Sequence, residues 1–256
     1  MTAAIVLAAG RGSRLERYTH HLPKALVRVG GRSLLDWNLR ALEAAGVASV
    51  TVVAGYRAER LARPGVEIVI SRTWESEGPL ASLLAARPSR MDRPFLVVYG
   101  DCVHHPDNLR CMLERDADIA VAGDRAWRAL WNERHEEPLL DAETYRHRNG
   151  SLVSIGARPS CEADIAAQFA GLLRFAPAGW RRVEQTLAES SMNPFDMTSL
   201  LARLLDRNVA IADVPIHGRW AEIDSALDLR LCRSRLHASS TWLHDWRATD
   251  GDARCG

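Results

Sequence analysis

The chain has 256 residues, 47% of them hydrophobic and 25% charged, with a formal net charge of +1; it is long enough to bury one full core as a single large α/β domain. That balance gives no electrostatic reason to expect a nucleic acid or an anionic membrane as partner, and no apolar run is long enough to span a bilayer. The opening MTAAIVLAAG lacks the basic flank of a leader, so a cytoplasmic protein is expected. The five cysteines (Cys102, Cys111, Cys161, Cys232, Cys255) are scattered without a C-x-x-C pair. They indicate neither a disulfide framework nor a zinc knuckle, and are expected to be small buried hydrophobes.

In chain order, Ile5-Val6-Leu7 is a short apolar strand ending in Gly10, and SLLDWNLRALEAAG carries apolar residues at helical spacing. Ser33 followed by Asp36 makes a capping-box-like start, and Gly46 suits the left-handed position past the last turn. SVTVVAG, VEIVI, FLVVYG and DIAVAG read as buried strands, with helices near Leu80 to Ala86 and Asn108 to Arg115 between them. Apolar strands alternating with helices predict a Rossmann-like, mostly parallel central sheet covered on both faces. Near residue 140 the pattern changes. Asn149-Gly150 inside ETYRHRNGSLVSIG signals a type I′ turn, hence a β-hairpin projecting as an arm within an insertion at about 125–165. AGLLRF and VAIADVPI then read as strands and MTSLLARLLD as a helix, completing one domain over 1–235. The tail, 236–256, has little periodicity and is expected to be loosely attached.

The chemistry begins at LAAGRGSRL, residues 7 to 15. Directly after a strand, Gly10-Arg11-Gly12-Ser13 lets successive backbone N–H groups face an anion, because glycine removes the Cβ that would block close approach. A plain turn explains the same loop. The spacing excludes two other phosphate loops. No Lys stands where a Walker A loop requires one, and Leu15 occupies the third small position of a dinucleotide fingerprint. Lys24, in HLPKAL, is the single lysine among thirty-three basic Lys and Arg residues. A chain that uses arginine for charge elsewhere either keeps Lys24 for a reason or retains it by chance.

Taken together, Leu7, Ala8, Ala9, Gly10, Gly12, Arg14, Leu15, Pro23 and Lys24 match L-A-A-G-x-G-x-R-[LM] followed by P-K, and the sequence resembles the nucleotidylyltransferase family that makes nucleoside-diphosphate sugars and related activated alcohols. GGRSLLDWNLRALEAAGV, VVAGYRAER and YGDC extend the likeness. WRALWNERHEEPLLDAET, QFAGLLRF, DMTSLLARLL and WAEIDSALDL resemble the phosphocholine and phosphonate cytidylyltransferases, in particular the phosphonate enzymes of antibiotic pathways.

That resemblance implies roles. Lys24 would meet charge growing on the α-phosphate as a compact point donor, and the Arg14 fork would hold the departing β and γ phosphates. Leu7 to Ser13, including Ala8 and Arg11, would cradle the nucleotide. Asp101 after FLVVYG and Asp224 after WAEI would hold Mg²⁺ at the carboxyl edge of the sheet; helix capping is the open alternative for both. Glu77, Gly78 and Ser82 would read the base, a glutamate favouring the cytosine amino group of CTP, with backbone help from Leu7 and Ala9. An ordinary turn before a helix is the alternative there.

With no second lysine, an acceptor phosphate or phosphonate needs arginine, and GDRAWRALW offers Arg125 and Arg128 just past a strand, unless they line a solvated face. Trp127 and Trp131, a helical turn apart, either box a choline-like cation or pack in the core. Glu143, Asp196, Thr198, Arg219 and Trp220 fall in family-like segments facing the acceptor. His104 and His105, like His20 and His21, are expected to be solvated loop residues. The expectation is therefore a Mg²⁺-dependent cytidylyltransferase acting on CTP and a small phosphonate or phosphomonoester. A sugar-1-phosphate nucleotidylyltransferase and a non-catalytic nucleotide-binding regulator are the alternatives. Oligomeric state is left open, a homodimer being one option.

Overall fold

The computed structural model describes residues 2–189, 196–238 and 241–247. Strand β1 (Ala3–Ala8) lies at the heart of a nine-stranded sheet. After it come the short ribbon β2 (Arg28–Val29) and β3 (Arg32–Ser33), helix α1 (Leu34–Ala44), β4 (Ser49–Ala54), β5 (Val66–Ile70), α2 (Pro79–Ala85) and β6 (Phe95–Tyr99). The chain continues through β7 (Cys102–His104), α3 (Pro106–Glu114), β8 (Ile119–Asp124), α4 (Trp127–Arg134), α5 (Pro138–Asp141), β9 (Tyr145–Arg148), β10 (Ser151–Ile155) and β11 (Gln168–Phe175). Helices α6 (Pro177–Ala188) and α7 (Met197–Asp206), strands β12 (Ala212–Ile216) and β13 (Trp220–Glu222), and helix α8 (Ala226–Ala238) follow.

The sheet order is β5-β4-β1-β6-β11-β8-β12-β10-β9. β5, β4, β1 and β6 are parallel, as are β8 and β12, while β11 runs antiparallel to both β6 and β8. Alternation along each central strand supplies two cores. Ala4, Val6, Leu96, Val98, Ala120 and Ala122 face α1, α3 and α4, and Ile5, Phe95, Val97, Ile119 and Val121 face α2, α6 and α7. Both faces are thus covered, which is why these strands read as continuous apolar runs.

The ends of α1 follow the sequence. Ser33 Oγ accepts the Asp36 N–H at 3.0 Å and donates to its carboxylate at 2.6 Å, and Gly46 has φ +83°. The hairpin is also where expected, with Asn149 and Gly150 at φ 51° and 72°, the type I′ signature. It is stitched to the sheet rather than standing free: Asp213 N–H donates to Gly150 O at 3.0 Å and Leu152 N–H to Ile211 O at 2.9 Å.

Three expectations are corrected. His104 and His105 are 2% and 0% exposed, not solvated, whereas His20 and His21 are exposed. His104 stacks flat on Trp220 at 5.8 Å, and burial pushes its pKa down to about 3. Cys102 and Cys232 are buried as expected, but Cys111 and Cys161 are exposed; Cys255 lies outside the described residues. Residues 241–247 of the tail are anchored: Leu243 O accepts the Arg219 N–H at 2.8 Å, and Trp246, 1% exposed, meets Trp37 edge-on at 6.2 Å. Burial of His244 and Trp246 offsets part of the entropy cost of ordering the segment.

Candidate active site

Where β1 ends, the glycine loop turns over the carboxyl edge of the sheet. Gly12 has φ +73°, and a Cβ there would sit 2.8 to 2.9 Å from the Cβ, Cγ and Cδ of Lys24. Only glycine therefore lets the lysine stem run beneath the loop. Gly12 O accepts the Leu15 N–H at 3.0 Å and the Thr19 hydroxyl at 2.8 Å, fixing the turn, while Gly10 faces open space. Arg11 lies over the Tyr56 ring at 5.5 Å; Ser13 is exposed.

Lys24 is drawn inward by its neighbours. Pro23 precedes it, Ala25, Val27 and Val29 are buried, and Val27 and Val29 share one apolar cluster with Leu15, Val103, Ala221 and Ile223. That cluster ties the lysine segment to the antiparallel ribbon β7–β13, the two strands that flank the acids. Its consequence is convergence. Lys24 Nζ donates to Asp101 Oδ2 at 2.6 Å and to Asp224 Oδ1 at 2.5 Å, across 77 and 200 residues of sequence. Arg14 adds a 2.5 Å ion pair to the other Asp224 oxygen from an exposed position.

Burial opposes charge on Lys24, but the two carboxylates outweigh it and raise the pKa of the ammonium above its ordinary value. Burial likewise opposes charge on Asp101, and Lys24 outweighs it, holding the carboxyl below its ordinary range. The capping alternative for both acids fails. His105 is the N-cap of α3, and the N–H groups of Asp224 and Ser225 at the head of α8 are bonded to Asp228. Asp101 follows β6 of the main sheet as expected, whereas Asp224 follows β13, a strand of the separate ribbon.

Two carboxylates meeting on one nitrogen are close enough to share one ion, and an all-oxygen pair at an open edge suits a hard divalent cation that takes its other ligands from phosphate and water. Among the described residues no group of three His, Cys, Asp or Glu gathers for a metal. The residues thus fit Mg²⁺ held jointly with a substrate. A cleft of about 60 Å³ opens beside them, lined by Leu7, Ala8, Gly10, Lys24, Gly100 and Asp101. A larger cleft of about 470 Å³ at the opposite edge, near Arg115, Arg182 and Arg207, contains none of these groups.

On the base side, Gly78 is the N-cap of α2 with Pro79 next, and Glu77 is exposed in the preceding loop. Ser82 is 6% exposed, its hydroxyl 3.5 Å from that of Ser71. The carbonyls of Leu7 and Ala9 each already accept a bond, from Gly100 and Tyr56 N–H at 2.9 Å.

The acceptor-side arginines each have an ion-pair partner within the chain. Arg125 is clamped to buried Asp213, which also accepts the Tyr145 hydroxyl at 2.7 Å, so its guanidinium is spent inside the fold. Arg128 pairs at the surface with Glu162 at 2.7 Å over the Trp127 ring. Arg219 points to the far end of the β7–β13 ribbon, 2.7 Å from Asp107 and beside His105. Trp127 and Trp131, 3% and 4% exposed and edge-to-face at 6.2 Å, are core rather than a cation box, and Trp220 is buried with its N–H on Asp124 at 2.9 Å.

The acidic residues are gathered instead. The Thr198 hydroxyl stands 3.4 Å from Glu143 and 3.1 Å from Asp196, the N-cap of α7. Burial, with smaller contributions from Asp196 and Asp141, holds the Glu143 carboxyl above its ordinary value. Burial first, then the charge of Asp101, raises the Tyr99 hydroxyl above its ordinary value.

Sequence reasoning missed three residues behind the site. Buried Arg134 and Asp228 form an ion cluster with half-buried Glu222, Arg134 lying 2.8 Å from Glu222 and 2.9 Å from Asp228. The spacing Ser225-x-x-Asp228 was a readable capping signal; nothing in WNER distinguishes Arg134 from a surface arginine.

An α/β sheet with a glycine loop, a buried lysine and two acids at its carboxyl edge defines a nucleotide-handling transferase. The MobA-like NTP transferase domain matches residues 4–164, and the chain belongs to that family. Over nearly its full length the chain is similar to the CTP:phosphoglutamine cytidylyltransferase of Campylobacter jejuni, 28% identical and covering 89% of this chain and 98% of that one. It is also similar to a UTP–glucose-1-phosphate uridylyltransferase of Haloferax volcanii, 25% identical over 93% of this chain and 98% of that one. The structure of the inositol-1-phosphate CTP transferase from T. maritima superposes with a TM-score of 0.71 at 20% identity, covering 92% of this chain and 96% of that one, which establishes the shared fold. The chain is a nucleotidyltransferase.

Proposed function

We propose that the protein is a cytidylyltransferase that transfers CMP from CTP to a small phosphonate or phosphomonoester and releases pyrophosphate. The observation that carries this reading is the Lys24 ammonium, held under the glycine loop between Asp101 and Asp224. An acceptor oxygen attacks the α-phosphorus, an α-phosphorus–oxygen bond forms, and the bond to the β-phosphate oxygen breaks. The acceptor is already an anion at neutral pH, so no general base is required. Positioning and charge neutralisation carry the catalysis.

Lys24 stays charged at neutral pH, its pKa raised by the carboxylates, and serves the growing charge on the α-phosphoryl oxygens. To reach them it releases at least one aspartate. Arg14, on an exposed stem, is free to turn from Asp224 to the departing pyrophosphate. Asp101 and Asp224 would hold Mg²⁺, which when bound neutralises phosphate charge. CTP is favoured by the Glu77 loop and by the name of the Campylobacter relative, whose acceptor is phosphorylated. Glu143, Asp196 and Thr198 lie on the acceptor side, where two carboxylates and a hydroxyl suit an amine or hydroxyl of the acceptor rather than its anionic phosphate or phosphonate group.

Purified protein incubated with Mg²⁺, each of the four triphosphates and a panel of phosphonates, phosphomonoesters and hexose-1-phosphates is expected to release pyrophosphate with CTP and a phosphonate or phosphomonoester. A preference for UTP and a hexose-1-phosphate would move the assignment to the sugar branch. Silence across the panel would refute it.

A further inference from the structure

Helix α4 carries Arg128 at the surface and, at its C-terminal end, Arg134, with a side chain 4% exposed. Its guanidinium lies over the Trp131 ring at 5.0 Å, and Trp131 in turn packs on Trp220 at 6.4 Å, so stacking fixes the plane of the fork. From that plane Nη1 reaches Glu222 Oε2 at 2.8 Å and Nε reaches Asp228 Oδ1 at 2.9 Å. Among the described residues, Arg134 is the one ion-pair partner of Glu222 and of Asp228.

Both acids adjoin the cation site. Glu222 lies opposite Cys102 in the ribbon, one residue past Asp101, and the next N–H, that of Ile223, donates to Asp101 O at 2.9 Å. Asp228 Oδ2 accepts the N–H of Asp224 at 3.1 Å, the N–H of Ser225 at 2.8 Å and the Ser225 hydroxyl at 3.0 Å. The turn carrying Asp224 is therefore tied to a carboxylate whose own orientation is set by Arg134.

We propose that Arg134 is a positioning residue for the cation site: by gripping Glu222 and Asp228 together it fixes the backbone from which Asp224 faces Asp101. The proposal rests on the reading of those two aspartates as the cation-holding pair. A buried ion cluster that served stability alone would account for the burial of Arg134, since such clusters are common and often contribute little net stability. It gives no reason for the cluster to be bonded to the Asp224 turn.

The test uses the full chain and Mn²⁺ as the probe, titrated by electron paramagnetic resonance, beside steady-state kinetics with CTP and thermal melting. In Arg134→Met, Mn²⁺ affinity and kcat are each expected to fall by about tenfold or more, the usual effect of removing a group that orients a metal ligand, with KM for CTP held within about twofold. Arg134→Lys, which keeps the charge but not the fork, is expected to fall between. Should Arg134→Met fail to fold, Ser225→Ala, which removes one donor to Asp228, decides by the same measures, with a smaller loss of Mn²⁺ affinity expected. A folded variant with a lowered Tm but unchanged Mn²⁺ affinity and kcat would overturn the proposal. Wild-type chain that binds Mn²⁺ in an Arg134-dependent manner yet turns over no triphosphate would instead refute the function while leaving this inference standing.

Discussion

Replacing Lys24 by Met removes the buried cation that bridges Asp101 and Asp224 while keeping the length of the stem. The lysine is 9% exposed, and the side chains of Asp101 and Asp224 are 23% and 15% exposed, so this is a buried cluster and not a surface pair. Breaking a buried pair leaves uncompensated charge and costs about 3–5 kcal/mol. Arg14 offsets little of this, because its side chain is 73% exposed and its attraction is screened. For a domain of this size each kcal/mol shifts Tm by about 2–4 °C, so a fall of roughly 6–20 °C is expected. Two aspartates without their ammonium also remain available to a divalent ion, so Mg²⁺ is expected to raise the Tm of the variant more than that of the wild type. Turnover should fall by about 10²–10³, the effect of losing one preorganised donor to a developing oxyanion. Melting with and without Mg²⁺ and a pyrophosphate-release assay read all three. A variant that melts with the wild type and keeps its kcat would refute the reasoning.

Three further outcomes follow from the same contacts. Because the Asp101 pKa is lowered on folding, its contribution to stability is present above the ordinary carboxyl value of 3.8 and lost as pH falls through the folded value. Because that of Lys24 is raised, its contribution is full below 10.5 and lost as pH rises through the folded value. The stability difference between wild type and Lys24→Met, measured by urea denaturation, is thus expected to shrink as pH rises through the folded Lys24 value, and to shrink on the acid side beginning above 3.8, because the uncompensated carboxylates of the variant take up protons there. Gly12→Ala forces a left-handed φ that costs about 1–2 kcal/mol and drives a methyl into the Lys24 stem; kcat is expected to fall more than this small loss of Tm implies. Arg125→Leu breaks the pair with buried Asp213 and is expected to cost about 3–5 kcal/mol by urea denaturation, with KM for the acceptor unchanged in the folded fraction.

The sheet was legible because strands buried on both faces are apolar throughout, and the helix ends because Ser33 and Gly46 are local signals. The reversed β11 was not legible: QFAGLLRF reads the same in either direction, and its orientation is decided by the route taken through the hairpin insertion. Lys24, Asp101 and Asp224 are assigned to one site through the resemblance of their segments to a known family, since position after a strand or a proline alone leaves helix capping open for both acids; the ion pairs of Lys24 with them were not legible. The acceptor arginines could not be told from structural ones, since an arginine past a strand end looks the same whether it meets a substrate or a buried Asp213 that lies 88 residues away. Arg134 was hidden for the same reason: what recruits it, Glu222 and Asp228, lies in another part of the chain. His104 and His105 went astray because a loop-like pair of histidines became buried once β13 laid Trp220 and Arg219 against them.

The most direct test of the central claim follows oxygen. A phosphonate or phosphomonoester acceptor labelled with ¹⁸O in its phosphoryl oxygens, incubated with CTP and Mg²⁺ and observed by ³¹P NMR, is predicted to yield a mixed anhydride of CMP and the acceptor with the label in the bridging oxygen and pyrophosphate without it. An unlabelled bridging oxygen, or CDP with a phosphorylated acceptor, would contradict attack on the α-phosphorus and with it the role assigned to Lys24.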